Sequence, residues 1–354
     1  MLKRIIIAVC ACLVGGGLYY AYLSDTTGNI KTQQIASSKP KNSQQQVHQL
    51  ELEFAQGFST SSAKLQTAVA QYCQSNNGLS LEALQEQWLE MMQAWMPLQG
   101  QAKGPAKAVA LSWNVQFWPD KKNITGQKMQ QLLQQKALWN TESIANQSVT
   151  VQGVTGLEWL LFDAQSPLIS GDKFSCGLLR ATTDTLHNHA QTITTQWQSN
   201  PWSGYDDSQW QAEYIGLLTN QLDFLMLKMS RPLAKIGHPR PYFSEAWRSK
   251  QSLALMTSNL QALRQLYLAK GLGLDAQLRA QDHSELADRL LAQFDQTIST
   301  WPKQASLFEM LQTKEGYRQA LTQFNKLERI KYLLHDEVAV ELGVVVGFNS
   351  TDGD

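Results

Sequence analysis

From about residue 50 onward, apolar side chains return every three or four positions with polar residues between them, the period of a helix that buries one face. Leu50, Phe54, Phe58, Leu65, Val69 and Tyr72 form the first stripe, closed by Asn76-Asn77-Gly78. Ser80 is placed to cap a second helix carrying Leu84, Trp88, Met91 or Met92 and Trp95 until Pro97. Pro105 suits the first turn of a helix reaching toward Trp113, and Met129, Leu132, Leu133, Lys136 and Trp139 repeat with similar spacing. Val149-Thr150-Val151 is β-branched but has no evident partner strand, so an extended loop is expected.

Two long stripes follow, Leu179, Leu186, Ile193 and Trp197, then Trp210, Tyr214, Leu217, Leu218, Leu225 and Met229. Burial explains such stripes better than a cofactor box. Ser230-Arg231-Pro232 and Gly237-His238-Pro239-Arg240-Pro241 interrupt the periodicity, which puts a domain boundary after residue 232. Ser244 is read as the cap of a helix with Leu253, Met256, Leu260, Leu263 and Tyr267. Leu286 to Trp301 and Leu307 to Val338 supply the rest. The predicted class is all-α: two antiparallel helical bundles side by side, residues 49–232 and 233–354.

The amino terminus departs from this pattern. Lys3-Arg4 precedes an apolar run from Ile5 to about Leu23, the order of an export signal, so residues 1–24 are read as signal peptide or anchor. Three fates stay open: cleavage, retention as a membrane anchor, or lipidation at Cys12 after an imperfect lipobox. Each places the globular part in the periplasm or cell envelope, with membrane association through the N-terminus as one option. Residues 25–48 are polar and read as a flexible linker, His48 included.

Charge argues against one class of partner. The 30 basic and 30 acidic residues cancel, leaving no surplus to neutralise a phosphate backbone, so no nucleic-acid partner is expected. Of four cysteines, Cys10 and Cys12 belong to the export segment, which leaves Cys73 and Cys176 as the candidate disulfide, with two separate buried thiols as the alternative. His187 and His189 are two apart and would point to different sides of a helix, which argues against a shared ion. His238 and His283 have no partner at ligand spacing. Neither Gly-x-Ser-x-Gly nor His-Glu-x-x-His occurs. The terminal Gly347 to Asp354 stretch is acidic, and a solvated chain end is favoured over a calcium loop.

One stretch carries candidate chemistry. In Gly153-Val154-Thr155-Gly156-Leu157-Glu158-Trp159-Leu160-Leu161-Phe162 a single carboxylate sits inside an apolar helical pattern, sharing a face with Thr155. An ionised Glu158 there needs a partner, a metal or a raised pKa. A buried, hydrogen-bonded carboxylate is the favoured reading. A metal on Glu158 would need further donors, with Asp163, Glu213, Asp223, His335, Asp336 and Glu341 as candidates.

The stretch resembles the signature of the imelysin family, the M75 peptidase-like proteins, whose motif reads Gly-x-His-x-x-Glu followed by an aromatic residue and Leu-Leu. Gly153 and Glu158 match, while Thr155 stands where the family has His. Phe117-Trp118-Pro119-Asp120-Lys121 with Thr125-Gly126, the helix opening Cys176 to Ala181, and Gly347-Phe348-Asn349 with Asp352-Gly353-Asp354 extend the likeness from about residue 50 to the end. The resemblance implies two related helical bundles with the motif near their junction. It also implies a link with bacterial iron acquisition, through a metal such as iron or another divalent ion, a haem-bearing protein or another envelope protein bound in the cleft. With the imidazole replaced by a hydroxyl, a poor transition-metal ligand, a non-catalytic binding protein is expected. A metal-dependent M75-type peptidase and a structural envelope adaptor are the alternatives.

Overall fold

The computed structural model describes residues 42–74 and 78–344, together with the backbone of Tyr20–Ser24 and Ile30–Gln34. Residues 1–41 and 42–354 are separate compact units. In the first, β1 (Tyr20–Ser24) and β2 (Ile30–Gln34) pair antiparallel, Tyr20 opposite Gln34 and Ser24 opposite Ile30. The rest of the apolar amino-terminal segment, Cys10 and Cys12, and the carboxy-terminal Gly347 to Asp354 landmark lie outside the described residues. No helix among the described residues is long and apolar enough to cross a membrane.

The second unit is all-α. Its longer helices are α1 (Ser43–Tyr72), α2 (Leu81–Trp95), α3 (Ile124–Gln134), α4 (Val154–Phe162), α5 (Cys176–Trp197), α6 (Asp207–Leu233), α7 (Ser252–Leu268), α8 (Ser284–Ser299) and α9 (Lys314–Tyr332). Helix α1 packs on α2 and α5, and α4 fits against α2, α3 and α5. Helix α6 lies chiefly along α7 and α9, and α8 closes against the same two. Although α6 precedes the expected boundary, its main packing partners follow it, and residues 42–354 cluster as one compact unit.

Side-chain caps account for several helix starts. Ser80 caps α2 by accepting from Ala83 N at 3.2 Å, as its position predicts, and Asp206 with Gln209 forms a reciprocal capping box on α6. Asp120 accepts from Ile124 N and Thr125 N at 2.7 and 2.9 Å, fixing the start of α3. Cys73, just past α1, and Cys176, opening α5, are joined by a disulfide with their Cα atoms 5.8 Å apart. An aromatic run from α5 to α6 binds the two helix groups: Trp197, Trp202, Trp210 and Tyr214 follow one another at centroid distances of 5.6, 5.2 and 5.0 Å.

Four expectations need correcting. The first helix begins at Ser43 with Asn42 as its cap, so the last residues read as linker are helical. His48 therefore sits on α1, its Nε2 at 2.8 Å from the Trp197 carbonyl. Val149–Val151 is a 3-10 turn started by Ser148, which accepts from Thr150 N; without a neighbouring strand the β-branched run closes locally. Pro232 lies inside the last turn of α6, which runs to Leu233 before Ala234 reverses the chain at φ 49°. Ser244 caps no helix: α7 starts at Ser252, and the intervening turn holds Ala246 at φ 49° and Lys250 at φ 61°. That irregular turn carries the partners of the motif.

Candidate functional site

Helix α4 is buried nearly all round, with Leu157, Trp159, Leu160 and Leu161 fully enclosed, as its lack of a polar face predicts. Gly153 precedes it because nothing larger fits: a Cβ there would lie 2.1 Å from the Val115 carbonyl oxygen and 2.4 Å from that of Asn114. The close crossing brings residues 114–117 alongside the helix start. The Phe117 backbone N–H donates to Thr155 Oγ1 at 3.2 Å. Trp88 Nε1 donates to the Val154 carbonyl at 3.3 Å.

Glu158 is only 3% exposed. Its Oε1 accepts from both the backbone N–H and the hydroxyl of Ser249, at 2.9 and 3.1 Å. Burial raises its pKa above the usual carboxylate range, against the opposing pull of the Arg248 guanidinium and the two Ser249 donors, while the Glu245 carboxylate adds to the rise. Arg248 Nε donates to Asp163 Oδ2 at 2.7 Å just past the end of α4, and its NH2 group donates to Asn123 Oδ1. Ser249 and Arg248 thus fasten one turn to the middle and the end of the motif helix.

The same turn reaches a second polar centre. Lys228 on α6 and Glu245 are 0% and 1% exposed at their side chains, with Nζ 2.6 Å from Oε2. Lys228 also donates to Gln99 Oε1 and Asn259 Oδ1, both at 2.6 Å. Glu245 Oε1 accepts from Gln99 Nε2 and Gln116 Nε2, both at 2.7 Å. Burial lowers the Lys228 pKa, and the Glu245 carboxylate opposes the fall. Desolvating such a pair costs several kcal/mol per ion, which only this density of hydrogen bonds offsets.

Gln99 and Gln116 also line a cavity of about 230 Å³, whose remaining walls are mainly Trp95, Trp113, Trp118 and Phe224. Both glutamines are held from behind. Trp95 Nε1 donates to Gln116 Oε1 at 2.8 Å, Gln99 Nε2 also donates to that oxygen, and Asn259 Nδ2 donates to Gln99 Oε1 at 3.2 Å. The cavity therefore presents aromatic faces and immobilised amides. No carboxylate, histidine, cysteine or lysine lines it. A buried polar seam thus runs from Glu158 through the 245–249 turn to this cavity.

The other candidate donors do not converge on Glu158. Asp163 pairs with Arg248, Glu213 with Lys103, Asp223 with Lys331, and Glu341 with His283, while His335 faces Asp336. On α5, His187 Nδ1 lies 2.9 Å from Ser62 Oγ, and His189 Nε2 is buried without a partner among the described residues. Burial lowers both pKa values. No three His, Cys, Asp or Glu side chains among the described residues group as metal ligands. With the Thr155 hydroxyl accepting from an amide and Glu158 bound to Ser249, the residues at the motif do not suit a transition metal. Sequence reading missed Ser249, Lys228, Glu245, Gln99 and Gln116, none of which carries a motif of its own.

An all-α unit with a glycine-led motif helix and a buried glutamate defines the class. The chain belongs to the imelysin family, whose model, Imelysin (Peptidase_M75), matches residues 52–334. Two solved structures share the fold. An imelysin-like protein from Psychrobacter arcticum 273-4 superposes with TM-score 0.68 at 21% identity, over 86% of this chain and 97% of its own. A putative iron-regulated protein A precursor from Parabacteroides distasonis ATCC 8503 gives 0.58 at 14% identity, over 84% and 96%. No curated protein matches the chain.

Proposed function

We propose that this chain is an exported, non-catalytic imelysin-like protein of the cell envelope that serves iron acquisition by binding. The observation that carries the reading is the motif itself: Ser249 occupies Glu158 Oε1 and the Phe117 amide occupies Thr155 Oγ1. Both side chains act as internal clasps. The aromatic cavity beside them, with no titratable side chain in its wall, suits recognition better than hydrolysis. The amino-terminal export pattern and the likeness to a protein described as an iron-regulated precursor support the setting. The partner is an envelope component, a haem-bearing one included, held at the cavity rather than at a metal on Glu158.

Metal content and cleavage of a peptide library, measured on one preparation of the full-length protein, test this. Substoichiometric iron and no chelator-sensitive cleavage are expected, with iron retention rising in Thr155→His. Stoichiometric iron abolished by Glu158→Ala overturns the lost-ligand argument. Chelator-sensitive cleavage lost in that variant establishes an M75-type peptidase instead.

A further inference from the structure

A second cavity, of about 550 Å³, lies at the carboxy-terminal end of α6 and shares no residue with the one beside the motif. Its wall includes Lys121, Arg231, Lys235, His238, Arg240 and Phe243, and no acidic side chain. Among the described residues no carboxylate pairs with any of those four cations, although several other basic residues of the chain are in ion pairs. In a chain whose 30 basic and 30 acidic residues balance, four unmatched positive charges round one hollow are a local excess. A helix carboxy-terminus favours a cation in its last turn, which accounts for Arg231 but not for Lys121 or Arg240.

Arg231 gives the independent sign. Its Nε is buried and has no hydrogen-bond partner among the described residues. Arg231 as a whole is only half-buried in the cavity wall, with no carboxylate paired to it, so the rest of its guanidinium is placed for a charge-assisted bond to an oxyanion. The frame around it is set by the backbone. Ala234 turns at φ 49°, His238 N donates to the Lys235 carbonyl at 2.8 Å, and Arg240 N donates to the Pro232 carbonyl at 2.7 Å. Arg240 lies over the Phe243 ring at 5.5 Å, which holds its guanidinium at the rim.

We propose that this hollow is a binding site for a multivalent phosphate, either free or carried on a lipid headgroup. Its size exceeds what one orthophosphate needs, and its charges are spread over the 121 and 231–240 segments, which matches two linked phosphates better than one. Calorimetry with inorganic pyrophosphate and flotation with cardiolipin, whose headgroup carries two phosphates, against phosphatidylcholine vesicles test it on the full-length chain. Variants are Arg231→Gln and the double change Lys235→Gln/Arg240→Gln at exposed rim positions, with Lys64→Gln on α1 as control.

Saturable pyrophosphate binding that weakens about tenfold in each cavity variant, but not in the control, supports the site and a free ligand. A preference for cardiolipin vesicles that pyrophosphate competes away, and that the rim variant loses, supports the site with a lipid headgroup. Absence of both bindings, or binding that the control weakens as much as the cavity variants do, overturns it. The rim variant alters only exposed side chains, so it decides the matter even where Arg231→Gln fails to fold.

Discussion

Glu51 supplies a stability test that needs no ligand. It lies on α1 with 0% exposure, and its Oε1 accepts from Gln101 Nε2 at 2.6 Å while Oε2 has no partner among the described residues. Burial pushes its pKa up to about 8 from an ordinary 4.5, the Gln101 hydrogen bond only partly opposing. The neutral acid is thus the form the fold accepts. Because the folded-state pKa lies above the unfolded one, the favourable contribution is complete below pH 4.5 and is lost as pH rises through about 8. At about 1.4 kcal/mol per pKa unit, this one group removes on the order of 3 kcal/mol of stability between about pH 5 and pH 7.5. Glu51→Gln keeps an acceptor for Gln101 and cannot ionise. Urea unfolding of both proteins at the two pH values should show wild type losing about 3 kcal/mol more than the variant. Glu158, whose pKa burial also raises, contributes its own pH dependence to both proteins and cancels in the difference. An identical loss in wild type and variant would show that Glu51 is ionised in the fold, and the burial argument would be refuted.

The buried pair gives a second measurement. Glu245→Gln leaves Lys228 charged and enclosed, and should cost about 3–5 kcal/mol in urea unfolding, most of it recovered in Lys228→Met/Glu245→Leu; a loss below about 1 kcal/mol would mean the pair is not desolvated. The Cys73–Cys176 bridge spans 103 residues, so Cys73→Ser should lower stability by about 4–5 kcal/mol on the chain-entropy model. Thiol titration of the unfolded, unreduced protein checks the bridge itself: no free thiol is expected from these two residues, and finding both would exclude it.

What could be read from the sequence divides by range. Periodicity exposes the stripes of α1, α2, α5, α6 and α7 because each helix buries one face along its own length. The enclosure of Glu158 was equally legible, since Leu157, Trp159, Leu160 and Leu161 next to it in the sequence are all large and apolar. Its partner was not. Ser249 is 91 residues away, in a turn whose positive-φ positions are Ala246 and Lys250 rather than glycines, so no turn chemistry announces it. Lys228 sits between apolar residues in a long helix and resembles a solvated lysine reaching past them, and only the fold brings Glu245, Gln99 and Asn259 round its ammonium group. The expected helix from Ser244 failed for the same reason. Residues 245, 248 and 249 direct their side chains to distant parts of the chain, a long-range pairing that periodicity cannot detect.

The hydroxyl at position 155 therefore marks more than a missing ligand. It accepts the Phe117 N–H, on the strand of chain that Gly153 allows to pass within van der Waals contact of α4. That segment carries Gln116, which holds Glu245 with one end of its amide and accepts from Trp95 with the other while lining the aromatic cavity. An imidazole placed at 155 would have to give up or rebuild the Phe117 bond, and a buried amide left without an acceptor costs about 1–3 kcal/mol. The disturbance would pass through Gln116 to the cavity wall. Motif residues in this chain accordingly position the segment that forms the cavity wall without lining the cavity themselves.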